Sequence, residues 1–116
     1  MPRLQPQDPV AVAEAIARPE RTKADLKLLT KHFLARLSQL APGKSVEVRV
    51  PPYAAAQVVE GVRHTRGTPP AVIELDAPTW IALATGETTW ARAMDEGRVR
   101  ASGERADLSP YLPLVT

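Results

Sequence analysis

The segment TWIALATGETTWARAMDEGRVRASG, residues 79–103, states one pattern twice. Thr79-Trp80 runs through small apolar residues to Gly86, and Thr89-Trp90 runs the same way to Gly97. Threonine at the start supplies a helix cap, and glycine after the end supplies the backbone freedom that stops a helix. The reading is therefore two consecutive short helices, the first capped by Asp76 or Thr79, the second by Thr88. Each is shorter than any solenoid repeat unit. A helix this short is unstable alone and has to be pinned by a large side chain. The chain's only two tryptophans stand at these two places, and an indole ring anchors well. Core anchoring is the first expectation for Trp80 and Trp90; the second is that one of them lines a ligand cavity.

Working outward, Val99 and Ala101 alternate with Arg98, Arg100 and Ser102, which predicts a last short strand. Ser109-Pro110 opens a final turn. Upstream, Ala71-Val72-Ile73-Glu74-Leu75 reads as a strand leading into the first tryptophan helix. Ser45–Val50 alternates three valines with polar residues, as a half-buried strand does. Pro51-Pro52-Tyr53 turns the chain into a further strand over Ala54–Glu60. Before these, Leu26, Leu29, Phe33, Leu37 and Leu40 recur at spacings of 3, 4, 4 and 3. That is the strongest helical stripe in the chain. Thr22 and Asp25 form a capping box at its start, and Pro42-Gly43 ends it. Lys27, Lys31, His32, Arg36 and Gln39 are expected to face water. Asp8-Pro9 starts a shorter helix that ends at Arg18-Pro19.

The totals fit one domain over residues 1–116, with 8–18 as a helical lead-in and 20–114 as the core. At 116 residues a chain buries enough surface for one real core. Aromatics are 4% of the residues, so Val, Leu, Ile and Ala have to fill the interior. With no cysteine, disulfides, thiol nucleophiles and thiolate metal sites are excluded. The start, MPRLQPQDP, carries no apolar run, so no secretory signal is expected. No apolar stretch approaches the ~20 residues that span a bilayer, so integral membrane association is not expected and a cytoplasmic location is. A net charge of +2, with no aromatic-basic stacking platform, argues against nucleic acid as a partner.

Taken in order, Trp80-Ile-Ala-Leu-Ala-Thr-Gly86, Trp90 to Gly97, Arg98-Val99-Arg100-Ala101-Ser102-Gly103 and the tail Ala106–Leu114 resemble the sterol carrier protein family. The likeness covers roughly residues 20–114 and is strongest to its small stand-alone bacterial orthologues. The C-terminal domain of mycothiol-dependent maleylpyruvate isomerases is similar in fold. The resemblance implies an α+β domain: a twisted, mainly antiparallel sheet of about four to five strands, with helices packed on one face. In lipid-transferring members an apolar tunnel lies between the layers.

The residues themselves offer little reactive chemistry. A nucleophile-plus-base enzyme needs Ser or Cys, His and carboxylate converging on one point. Here His32 lies in the long helix and His64 in a turn-rich stretch, and neither has a second ligand at metal spacing. No metal, no cofactor and no catalytic residue are therefore expected. The leading expectation is a non-catalytic carrier for an apolar, lipid-like molecule held between sheet and helices. Its lining candidates are Phe33, Leu37, Val48, Trp80, Leu83, Trp90 and Met94, residues that could equally be plain core. Arg63, His64 and Arg66 form the one local basic cluster, either a solvated loop or a receptor for an anionic group. The alternative is a protein-interaction or accessory domain with a filled core, binding a partner or a second copy. Leu28 and Leu34, off the main stripe of the long helix, motivate that reading as an exposed patch; the other expectation is that they pack under the first helix or the tail.

Overall fold

The computed structural model describes residues 4–61, 71–103 and 106–114. Helix α1 covers Pro9–Ala17 and α2 covers Lys23–Leu40. Strands β1, Val46–Val50, and β2, Ala54–Val58, form a hairpin. Strand β3 is Ala71–Leu75, followed by α3, Ala77–Thr85, and α4, Trp90–Asp95. Strand β4, Val99–Ser102, and a single 3₁₀ turn at Ser109–Tyr111 complete the order.

The helix boundaries are set by local chemistry. The Asp8 carboxylate accepts the Ala11 amide at 3.0 Å, and α1 stops at extended Arg18 ahead of Pro19. At α2 the capping box is complete. The Thr22 hydroxyl accepts the Asp25 amide at 3.1 Å, and the Asp25 carboxylate accepts the Thr22 amide at 3.0 Å. Arg18 also pairs with Asp25, tying the end of α1 to the start of α2. Asp76 caps α3 through the Thr79 amide at 2.9 Å, and Gly86 closes it in the left-handed conformation, φ 82°. The cap of α4 is Thr89, whose hydroxyl accepts the Arg92 amide at 3.1 Å. The expectation of Thr88 was one residue early: its hydroxyl is buried and has no partner among the described residues.

The sheet order is β2-β1-β3-β4. Both outer pairings are antiparallel and the central β1–β3 pairing is parallel. Register puts Val48 between Ala56 and Ile73, with Ala101 beyond Ile73. One face of the sheet therefore carries Val46, Val48, Val50, Val58, Ala71, Ile73, Leu75 and Val99, all buried. Ala101 shares that face but is exposed, because β4 is an edge strand and α4 is too short to cover its far end. The other face carries Glu47, Arg49, Ala55, Gln57, Val72, Glu74, Arg100 and Ser102, all exposed or half-buried.

Helices α2 and α3 close the apolar face, and α1 packs on α2. The stripe of α2 buries Leu29, Phe33 and Leu37, whereas Leu40 is 59% exposed where the helix ends. At Ala41 the chain folds back to β2: the Ala41 carbonyl accepts the Val59 amide at 2.7 Å. Gly43 makes that return feasible. Its φ is 151°, and a Cβ there would stand 2.2 Å from the Val59 carbonyl oxygen. Leu34 is fully buried and Leu28 half-buried against the core, so the patch expected from this pair is not at the surface. The C-terminal segment crosses the helices, burying Leu108 and Leu114, and the Leu114 amide donates to the Ala84 carbonyl at 2.8 Å.

Candidate functional site

Between the sheet and the helices lies one continuous apolar layer. Of the seven lining candidates, Phe33, Leu37, Val48, Trp80 and Leu83 meet there, each at most 2% exposed. Their arrangement follows from the two periodicities. Phe33 and Leu37 are one turn apart on α2 and face the strands; Val48 is the central inward residue of β1. Trp80 and Leu83 lie three apart on α3, on the face turned inward.

Trp80 is the fixed point of this layer. Its indole Nε1 donates to the Thr30 carbonyl at 3.3 Å, so the single polar atom of the ring is satisfied. Thr30 itself is fully buried on α2, and its hydroxyl has no partner among the described residues. Sequence reasoning passed over Thr30, although the signal was present: it falls four residues after Leu26 and three before Phe33, within the stripe.

The other two candidates stand apart. Trp90 opens α4 and is half-buried at the rim of the core. Met94, at 40% exposed, projects into an open depression of ≈ 550 Å³ at the edge of the sheet. That depression wraps around β4 and is also lined by Val72, Glu74 and Arg100 of the sheet's outer face. A second depression of ≈ 350 Å³ lies beside the β1–β2 turn, lined by Pro51, Pro52, Tyr53 and Arg49, and shares Glu74 with the first. The second lies at the β1–β2 turn, whereas the first reaches Val99 and Ala101 at the rim of the apolar layer. Within α4 only Ala93 is fully buried, so this helix is the most lightly held wall of the layer.

The charged groups nearby are engaged in structural roles. Arg98 donates to the buried Thr79 hydroxyl at 3.1 Å and pairs with Glu96 at 3.4 Å. Arg21 donates to the carbonyls of Ala15 and Ile16, closing the end of α1, and pairs with Glu87 at 3.5 Å. On the outer face Arg49 pairs with Glu47 at 2.8 Å. Arg63, His64 and Arg66, the expected basic cluster, lie outside the described residues. Among the described residues no group of three or more His, Asp or Glu is placed to hold a metal ion, and no helix is long and apolar enough to cross a membrane.

A two-layer α+β domain, with a four-stranded mixed sheet whose apolar face is closed by helices over one continuous apolar core, is the class this geometry defines. The chain belongs to the bacterial SCP ortholog family, whose model matches residues 20–114. Among solved structures it is similar to sterol carrier protein-2 like-3 from Aedes aegypti, at 20% identity. That match covers 76% of this chain and 92% of the other, with a TM-score of 0.40. Comparison with curated proteins gives no match.

Proposed function

We propose that this protein is a non-catalytic carrier for an apolar, lipid-like molecule, admitted between the sheet and the α3–α4 helices. Its membership of a family of sterol carrier orthologues supports the reading. The observation that carries it is the unequal hold on the two tryptophan helices. Helix α3 buries Trp80, Ile81, Leu83 and Ala84, whereas α4 fully buries Ala93 alone. Moving α4 off β4 uncovers the apolar layer at the cost of one buried alanine and a half-buried indole. An elongated ligand enters there, against Leu83 and Val48, with Trp90 and Met94 at the mouth. Elements that admit ligands are drawn from the least stable parts of a fold.

The test is tryptophan fluorescence titrated with fatty acids and sterols, paired with native mass spectrometry of the freshly purified protein. A saturable change in the Trp90 contribution, present in wild type and absent in Trp90→Phe, is expected. A flat response over the solubility range, with no co-purifying lipid, would overturn the reading.

One observation favours a second reading. The five interior candidates are packed at no more than 2% exposure, which suits an interaction or accessory domain with a filled core. Under it the outer face of the sheet and the β4 edge, which the two depressions border, meet a protein partner or a second copy. Light scattering across a concentration series separates the cases: concentration-dependent mass with no lipid response supports the second reading over the first.

A further inference from the structure

Residues 4–8 lie ahead of the first helix, and one hydrogen bond ties them to α2. The Gln7 main-chain N–H donates to Nδ1 of His32 at 3.0 Å, bridging 25 positions of sequence. His32, expected to be fully solvated, is half-buried, with its ring edge-on to Phe33 at 5.1 Å between centroids. Leu4, three residues before Gln7, packs on the hydrophobic core.

An imidazole nitrogen accepts a hydrogen bond only when it carries no proton. The contact therefore fixes the tautomer, with the proton on Nε2, and requires the ring to be neutral. Once Nδ1 is protonated, two N–H groups face each other at hydrogen-bond distance and repel. We propose that His32 is a proton-operated latch that pins the 4–8 segment to α2 at neutral pH and releases it under mildly acidic conditions.

The surroundings fit that role. Burial, and then the positive charge of Arg36, hold the His32 pKa below the ordinary histidine value. Lys31, adjacent on the same helix, adds a second positive charge nearby. In the segment across the ring the one charged side chain is Asp8, whose carboxylate is already engaged by the Ala11 amide at 3.0 Å. From α1, the charged side chain is Glu14, which faces Arg18 at 3.9 Å. No carboxylate is thus seen to hold the imidazolium in place among the described residues. The linkage has a definite sign. The folded pKa lies below the unfolded one, so the contact's stabilisation is fully present above about pH 6.5 and is lost as pH falls through the lower folded value.

Release loosens the tie that holds Leu4 near the core and exposes the Nδ1 edge of His32 on α2. The latch is independent of whether an apolar ligand occupies the layer below, so its test uses the protein alone.

The experiment is amide hydrogen exchange at Gln7 by NMR, corrected for intrinsic rates, at about pH 7.5 and about pH 5, on either side of the ordinary histidine value. Wild type is expected to lose protection at Gln7 by about fivefold or more at the lower pH, the scale of one hydrogen bond. His32→Asn offers an oxygen acceptor near the Nδ1 position and does not titrate, so its protection should be equal at both pH values. His32→Leu should lack the protection at both. Nitrogen-15 shifts of the His32 ring report the tautomer directly in wild type and do not depend on any variant folding. Protection at Gln7 that is unchanged in wild type across this range, or Nδ1 shifts of a protonated nitrogen at pH 7.5, would overturn the proposal.

Discussion

The indole nitrogen of Trp80 donates to the main-chain oxygen of Thr30 at 3.3 Å, in an interior where both residues are fully buried. One side chain thus joins α3 to α2 by a directed bond as well as by packing, 50 positions apart in sequence. Trp90, its counterpart in the repeated phrase, makes no such bond among the described residues and sits at the rim. The two tryptophans look alike in sequence and differ in what they hold.

The first prediction follows from that difference. Trp80→Ala should cost ~3–5 kcal/mol, as truncating a fully buried aromatic does. Trp90→Ala should cost about 1–2 kcal/mol, since part of the ring already meets water. Urea denaturation of the two variants measures both. Equal losses would show that α4 is held as firmly as α3.

The hydroxyl of Thr30 is buried without a partner among the described residues. Replacing a buried, unpaired hydroxyl by a methyl of similar shape removes a desolvation penalty. Thr30→Val should therefore raise stability by about 1 kcal/mol. A loss instead of a gain, read from thermal or urea unfolding, means that the hydroxyl has a buried partner such as water.

Asp25 couples acid to the start of α2. The Thr22 main-chain N–H holds its carboxyl below the usual carboxylate range, against the opposing effect of burial, with the Thr22 hydroxyl and Arg18 adding to the lowering. The folded pKa is below the unfolded one, so the stabilisation is complete above the unfolded value of about 4 and is lost as pH falls through the folded value. Asp25→Asn should consequently be less stable than wild type at neutral pH, with the gap closing in acid. Unfolding midpoints of the pair from neutral pH down to about pH 3 check this. A gap that stays constant assigns the effect to the capping geometry alone.

Among the described glycines, Gly43 is the least tolerant of a side chain. Its φ of 151° strains any L residue, and an added Cβ would overlap the Val59 carbonyl. Gly43→Ala should destabilise by at least ~1–3 kcal/mol, whereas Gly97→Ala meets no atom within 4 Å and bears only its own backbone strain. Side-by-side thermal unfolding should show Gly43→Ala, which bears the clash and a φ of 151°, losing more than Gly97→Ala, which bears only a φ of 70°.

Much of this architecture could be read from residue order, because it rests on local rules. The stripe from Leu26 to Leu37, the box of Thr22 and Asp25, the glycine after α3 and the alternation of Val46, Val48 and Val50 each depend on neighbours within four positions. Ala71–Leu75 was legible as a strand for the same reason. The α4 cap was misplaced by one residue because Thr88 and Thr89 offer the same chemistry, and only the backbone decides which one sits at the helix start. Met94 followed the helical pattern of an inward residue, yet whether an inward position is covered depends on how far a six-residue helix reaches across an edge strand. Leu28 and Leu34 left two readings open, an exposed patch or packing under a second layer, because one helix wheel cannot show what lies behind it.

Residue order alone thus determined which segments coil, which extend and where each one stops, since caps, turns and periodicity act over a few angstroms of chain. Tertiary structure decided that β1 and β3 run parallel, that Trp80 is bolted down while Trp90 is not, and that His32 receives a main-chain amide from 25 positions away. Those outcomes turn on distances between remote segments, which are fixed only when the whole apolar face is closed against water.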